Sequence, residues 1–210
     1  MSTNSNHKTK IAMVIMIIIS AVVMRLVPHI PNFAPMTAAA LFSAAYLPKR
    51  YVLMVPLIAL AISDYLLLYV SPFSDPVLNF SRVQPLSAMF NSTTAWVWGS
   101  FMLSALLGLA LRKNPSSVRI GSMTILASLQ FYLMTNFGVW AAGAYARDLS
   151  GLLGSYVAGL PFLSWTLAGD LFYTAAFFSL YALALKQSQR GYSWQIKKSV
   201  ERLVGAHLDR

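Results

Sequence analysis

Seven side chains in this 210-residue chain have the types and positions to hold a small molecule. Arg25, His29 and Asn32 lie in a proline-rich break, residues 25–35, between two uncharged apolar runs. Asp64, Asn136, Trp140 and Asp170 lie within later apolar runs. A guanidinium, an imidazole, two amides, an indole and two carboxyls suit recognition by charge and hydrogen bonding. A charge inside a lipid-embedded segment is expensive, so each needs a partner or a task. The excess of acid over base among the embedded groups hints at a cationic ligand or a protonatable carboxyl.

Bond-making chemistry finds less support. There is no H-E-x-x-H zinc spacing, no G-x-S-x-G elbow and no phosphate-cradling glycine loop. The chain has no cysteine, which excludes disulfides and thiolate metal sites. Asp64 and Asp170 could pair as an intramembrane aspartyl dyad, but neither sits in a Gly-x-Gly-Asp context. The expectation is a protein that is not an enzyme, with no catalytic residue, no metal and no cofactor.

The elements that must position these groups are membrane helices. Hydrophobic residues make up 57% of the chain and charged residues 10%, which is not the profile of a soluble domain. Long uncharged runs predict an all-α, polytopic helical bundle with six transmembrane spans. The spans are Ile11–Val27, Phe33–Leu47, Tyr51–Val70, Thr93–Leu111, Ile120–Tyr145 and Trp165–Leu185. They form a transmembrane domain over 11–186, between a cytoplasmic N-terminus, 1–10, and a tail, 187–210. No cleavage site follows the first run, so it reads as an uncleaved span.

The net charge of +10 follows from topology rather than from nucleic-acid binding. With the N-terminus cytoplasmic, 13 of the 16 basic residues fall on the inside, leaving Arg25, Arg82 and Arg147 outside. That is the positive-inside pattern of a bacterial cytoplasmic (inner) membrane protein with both termini cytoplasmic. The tail repeats Ile196, Val200, Leu203, Val204 and Leu208 at helical spacing among basic residues, which predicts an amphipathic helix on the anionic leaflet. The expected partners are the lipid bilayer and a small-molecule ligand.

Helical phase gathers the polar groups. Thr166, Asp170, Tyr173 and Thr174 share one stripe, and Ser128, Tyr132, Thr135, Asn136 and Trp140 share another. Measured from the predicted span ends, Asp64 lies roughly 9 Å, Asp170 about 8 Å and Asn136 about 14 Å below the outer surface. Three prolines in eight residues predict a stiff, extended backbone across the break. Gly151–Ser164 predicts a re-entrant piece or lid, and Trp96 and Trp98 an aromatic belt. The structural alternative pairs Arg25 with Asp64 or Asp170 and uses Asn136 only to join helices. Under it the protein is a membrane scaffold or accessory subunit.

The motifs at Arg25–Phe42, Ser63-Asp64, Asn136–Trp140, Pro161-Phe162 and Gly169-Asp170 carry a resemblance. They resemble a family of uncharacterised bacterial integral membrane proteins. That family in turn looks similar to the substrate-binding S components of energy-coupling-factor (ECF) vitamin transporters. The resemblance implies a six-helix fold, a ligand pocket near the outer face and an energising transporter module as a partner. S components dock through Ala-x-x-x-Ala in the first span; here the nearest such pattern is Ala40 and Ala44 in the second.

Overall fold

The computed structural model describes residues 2–27, 30–73 and 83–208, with side chains given for 12–27, 30–73 and 83–186. Every regular element among them is a helix. In chain order these are α1 (Ser2–Leu26), α2 (Met36–Tyr46), α3 (Tyr51–Leu66), α4 (Thr94–Gly108), α5 (Ser117–Ala141) and α6 (Leu149–Leu208), with 3-10 turns at Leu86–Met89 and Leu109–Leu111. The chain falls into two compact units, Met1–Thr174 and Ala175–Arg210. In the second, the backbone stays helical to Leu208, and the side chains of the tail pattern lie outside the described residues.

The centre of the first unit is α2. Every residue from Met36 to Ala45 is buried, and α1, α3, α4 and α5 all pack against it. Its sequence, Met-Thr-Ala-Ala-Ala-Leu-Phe-Ser-Ala-Ala-Tyr, explains why: small side chains let neighbouring backbones approach closely. Ala40 and Ala44 are fully buried with Val52 and Ala105, so this pair is consumed inside the bundle and is not on offer for docking. The one hydroxyl in its middle, Ser43, lies 2.9 Å from the Ala40 carbonyl and 3.4 Å from that of Val52. Pro56 deprives the Val52 carbonyl of its helical N–H partner, and Ser43 faces the gap.

Length separates the structure from the six predicted spans. Thr94–Leu111 and Leu149–Lys186 are long and apolar enough to cross a membrane. The helices α2 and α3 are apolar but shorter than the roughly 20 residues a bilayer asks for, while the α1 helix runs 25 residues. The helix α3 stops at Leu66, where the Leu67 and Leu68 amides close turns onto Ser63 and Tyr65. The fifth, α5, runs 25 residues but is diluted by its polar stripe.

The expected lid is a helix. Gly151–Ser164 lies inside α6, which starts at Leu149 and continues through Pro161. Two local causes are visible. Asp148 caps the helix, its Oδ1 accepting from the Gly151 amide and the Ser150 hydroxyl, each at 2.8 Å. Gly159 meets α5 so closely that a Cβ there would come 2.3 Å from Asn136 Oδ1. The glycine serves close approach, not flexibility. Tyr132 and Ser155 then zip the pair, donating to the carbonyls of Tyr156 and Asn136 at 2.6 Å each.

Two outcomes follow. Ala44→Leu drives an isobutyl group into a site with no free space and lowers stability by about 1–3 kcal/mol, read as a thermal shift in detergent. The Gly151 amide, then the Ser150 hydroxyl, hold the Asp148 carboxyl below its usual value of 3.8. Its capping contribution is therefore complete above that value and fades as pH falls through the depressed one. Amide exchange at 149–152 measured from pH 5 down to 2 should accelerate in the wild type beyond the intrinsic rate, and Asp148→Ala should remove that step.

Candidate functional site

A cavity of about 250 Å³ opens above the first turn of α2. Its polar wall is Arg25, Asn32, Thr37, Thr166 and Asp170; Val97, Phe101 and Phe131 form much of the apolar wall. A second cavity of about 100 Å³ shares Asn32, Phe131 and Thr166 and adds Asn136, Tyr132 and Gly159. The exposed residues Asn32 and Phe73 line the larger one, which places its mouth at the end where α1 and α3 finish.

The break that frames this mouth is turned, not extended. Ile30-Pro31-Asn32-Phe33 closes with the Phe33 amide on the Ile30 carbonyl at 2.9 Å. Asn32 has φ +66°. Proline followed by a positive-φ residue is the signature of a type II turn, and asparagine tolerates that conformation better than most side chains. Phe33 then packs on α6, its ring 5.8 Å from Phe172 and 5.5 Å from Tyr173. A Cβ on Gly169 would come 2.9 Å from the Phe33 Cα, so glycine is required where loop meets helix. His29 lies outside the described residues.

The charged groups divide into two sets. Arg25 Nη1 donates to Asp64 Oδ1 at 2.7 Å and also to the Ser63 hydroxyl, joining α1 to α3. Trp98 Nε1 donates to Asp64 Oδ2 at 2.8 Å and adds α4. Both oxygens of Asp64 are thereby engaged, and Asp64 does not line the cavity. Trp98, expected only as part of an aromatic belt, is a structural donor to that carboxylate.

Asp170 is placed differently. It is 2% exposed, and its partners are hydroxyls: Ser128 of α5, with Oγ 2.7 Å from Oδ2, and Thr37 of α2. No base forms an ion pair with it among the described residues. Its place along the helix differs from expectation: α6 begins at Leu149 and not at Trp165, so Asp170 lies 21 residues along it, roughly 32 Å, instead of five. Asp64 and Asp170 keep separate partners and form no dyad.

Asn136 lies five residues before the end of α5, about 8 Å along the helix, and donates from Nδ2 to the Tyr132 carbonyl at 2.8 Å. It lines the smaller cavity. Trp140 lies outside both cavities; its indole donates to the Ala146 carbonyl at 2.9 Å and braces the turn into α6. Of the seven expected residues, the structure thus brings Arg25, Asn32 and Asp170 to one cavity and Asn136 to its neighbour. Residues missed as site members are Thr37, Phe101 and Phe131, whose ordinary apolar or small-residue settings carry no signal in sequence.

The motifs that frame this cavity extend over most of the chain, and so does the family match. The chain belongs to DUF6580. This is a family of unknown function, and it matches residues 5–194. No curated protein and no solved structure matches the chain.

The Arg25–Asp64 pair is about four-fifths buried, and Trp98 restrains it further. Asp64→Asn leaves the guanidinium without its countercharge and lowers stability by about 1–3 kcal/mol in a detergent melt. Trp98→Phe costs less, about 1 kcal/mol, because one hydrogen bond goes while the ion pair stays.

Proposed function

We propose that this chain is a six-span protein of the bacterial cytoplasmic membrane that captures a small molecule from the outer side. The finer likeness is to the S component of an uptake system, and it rests on sequence motifs. The observation that carries the proposal is the larger cavity with a buried carboxyl in its wall and no base paired to that carboxyl among the described residues. A dry void of that volume costs on the order of 6 kcal/mol. Its polar lining admits water, which a ligand of matching shape can displace.

The charge pattern supports the orientation. Lys49 and Arg50 lie between α2 and α3, and Arg112 and Lys113 between α4 and α5, at the end opposite the cavity mouth. Under the positive-inside rule that end is cytoplasmic and the mouth faces outward. The short helix α2 is then carried within the bundle, screened from lipid by its neighbours, while α3 turns an apolar face that includes Met54, Ile58 and Ile62 outward to lipid. An energising module, if one docks, must use a surface other than Ala40 and Ala44.

One observation favours the scaffold reading for part of the site. Arg25, Ser63, Asp64 and Trp98 satisfy one another, as a purely structural brace would. The readings separate on Asp170→Asn and Phe131→Trp, the second of which fills the cavity. Capture predicts that the wild type, purified in mild detergent, carries a small molecule identifiable by mass spectrometry. Phe131→Trp should lose it by at least about ten-fold while staying folded. A wild type that carries nothing, with variants that differ from it only in stability, would leave the scaffold.

A further inference from the structure

The ligand's charge can be read from the cavity that the capture proposal rests on. Among the described residues, two carboxyls and one guanidinium stand at or beside it: Asp64, Asp170 and Arg25. Arg25 and Asp64 neutralise each other at 2.7 Å. Asp170 is left over: it is buried, it is hydrogen-bonded by the Ser128 and Thr37 hydroxyls, and no cationic side chain pairs with it among the described residues. Arg112 is engaged elsewhere, hydrogen-bonding the Leu47 carbonyl at the far end of α2.

We infer that the site takes a small organic cation, an ammonium carried on a flat apolar body, with the ammonium on Asp170. The aromatic wall fits such a body. Phe101 and Phe131 stand with ring centroids 4.9 Å apart and both line the cavity. Their faces attract a cation while their area covers an apolar ring. Arg25 limits where the positive charge can sit. Its Nη1 is turned onto Ser63 and Asp64, and its remaining N–H groups make no hydrogen bond to described residues. They offer donors and no acceptor, so an ammonium, itself a donor, finds its partner at the Asp170 end and any ligand oxygen belongs at the Arg25 end.

Ser128 allows the carboxylate to be kept ready. Its hydroxyl has one proton and two acceptors in reach, Asp170 Oδ2 at 2.7 Å and the Thr124 carbonyl at 3.0 Å. The Thr124 carbonyl already has its helical partner, so the proton is free to serve the carboxylate. Thr37 adds a second hydroxyl from the first turn of α2.

The test uses the full chain in mild detergent and three probes of nearly one shape: benzylammonium, benzyl alcohol and benzoate. Binding is read by calorimetry at pH 7. Benzylammonium should bind at least about ten-fold more tightly than benzyl alcohol, and benzoate least. Asp170→Asn should abolish that preference. Should this variant not fold, Phe131→Leu keeps apolar volume but removes a ring face, and should weaken benzylammonium several-fold more than benzyl alcohol. Equal binding of the three, preference for benzoate, or a preference that survives Asp170→Asn would overturn the inference. An uncharged molecule retained by the purified wild type would sink the cation and leave capture standing. Neither a retained molecule nor a bound probe would sink both.

Discussion

A helix that stops short governs this structure. The buried α2 has 11 residues, about 16 Å of rise, and its neighbours α4 and α5 are longer. Pro35 precedes its first residue, and a proline-led turn stands where another two or three helical turns would have filled the bundle. The space above α2 is therefore closed by a loop on one side and left as a cavity on the other. The small residues that let α2 sit at the centre also keep the surrounding helices close, so the void cannot be removed by collapse below it.

That void sorts the polar residues into two kinds. Around its rim, Arg25, Ser63, Asp64 and Trp98 bring charge and hydrogen bonds into balance across three helices. Breaking such a network leaves an uncompensated charge, so its members are held in place by each other. On its floor, Asp170 has hydrogen bonds but no countercharge among the described residues. Balanced groups explain a fold, and the unbalanced one in the cavity wall is what the capture proposal rests on. The seven residues singled out by type therefore do not act alike: Asp64 and Trp140 brace, and Asp170 faces the space.

The sequence carried the helical class and most element positions because apolar runs and prolines are local signals. It placed the first turn of α2 within three residues and paired Arg25 with Asp64 as one of two structural options. It misjudged Gly151–Ser164, where three glycines and a proline suggest a loop in isolation. Packing overrides that preference: Gly159 is a contact point with Asn136, and Asp148 caps the helix that follows. The position of Asp170 along its helix was misread with that segment, since a helix starting at Leu149 puts 21 residues before it and not five. Thr37 was illegible for a different reason. It heads a helix of small residues, and only the fold brings it to Asp170, more than a hundred positions away.

The loop and the carboxyl are mechanically one unit. Phe33, which ends the turn, rests on Gly169 and against Phe172 and Tyr173, and Asp170 lies between those contacts on the same helix. Thr37, one helical turn beyond Phe33, hydrogen-bonds Asp170 itself. Any displacement of α6 at this level is felt by the turn that carries Asn32, and any opening of the turn is felt at Asp170. The proposed capture, with a ligand passing Asn32 and resting at Asp170, would draw on that coupling. Seating the loop and forming the floor of the cavity draw on one set of contacts, so a loosened loop is also a loosened site.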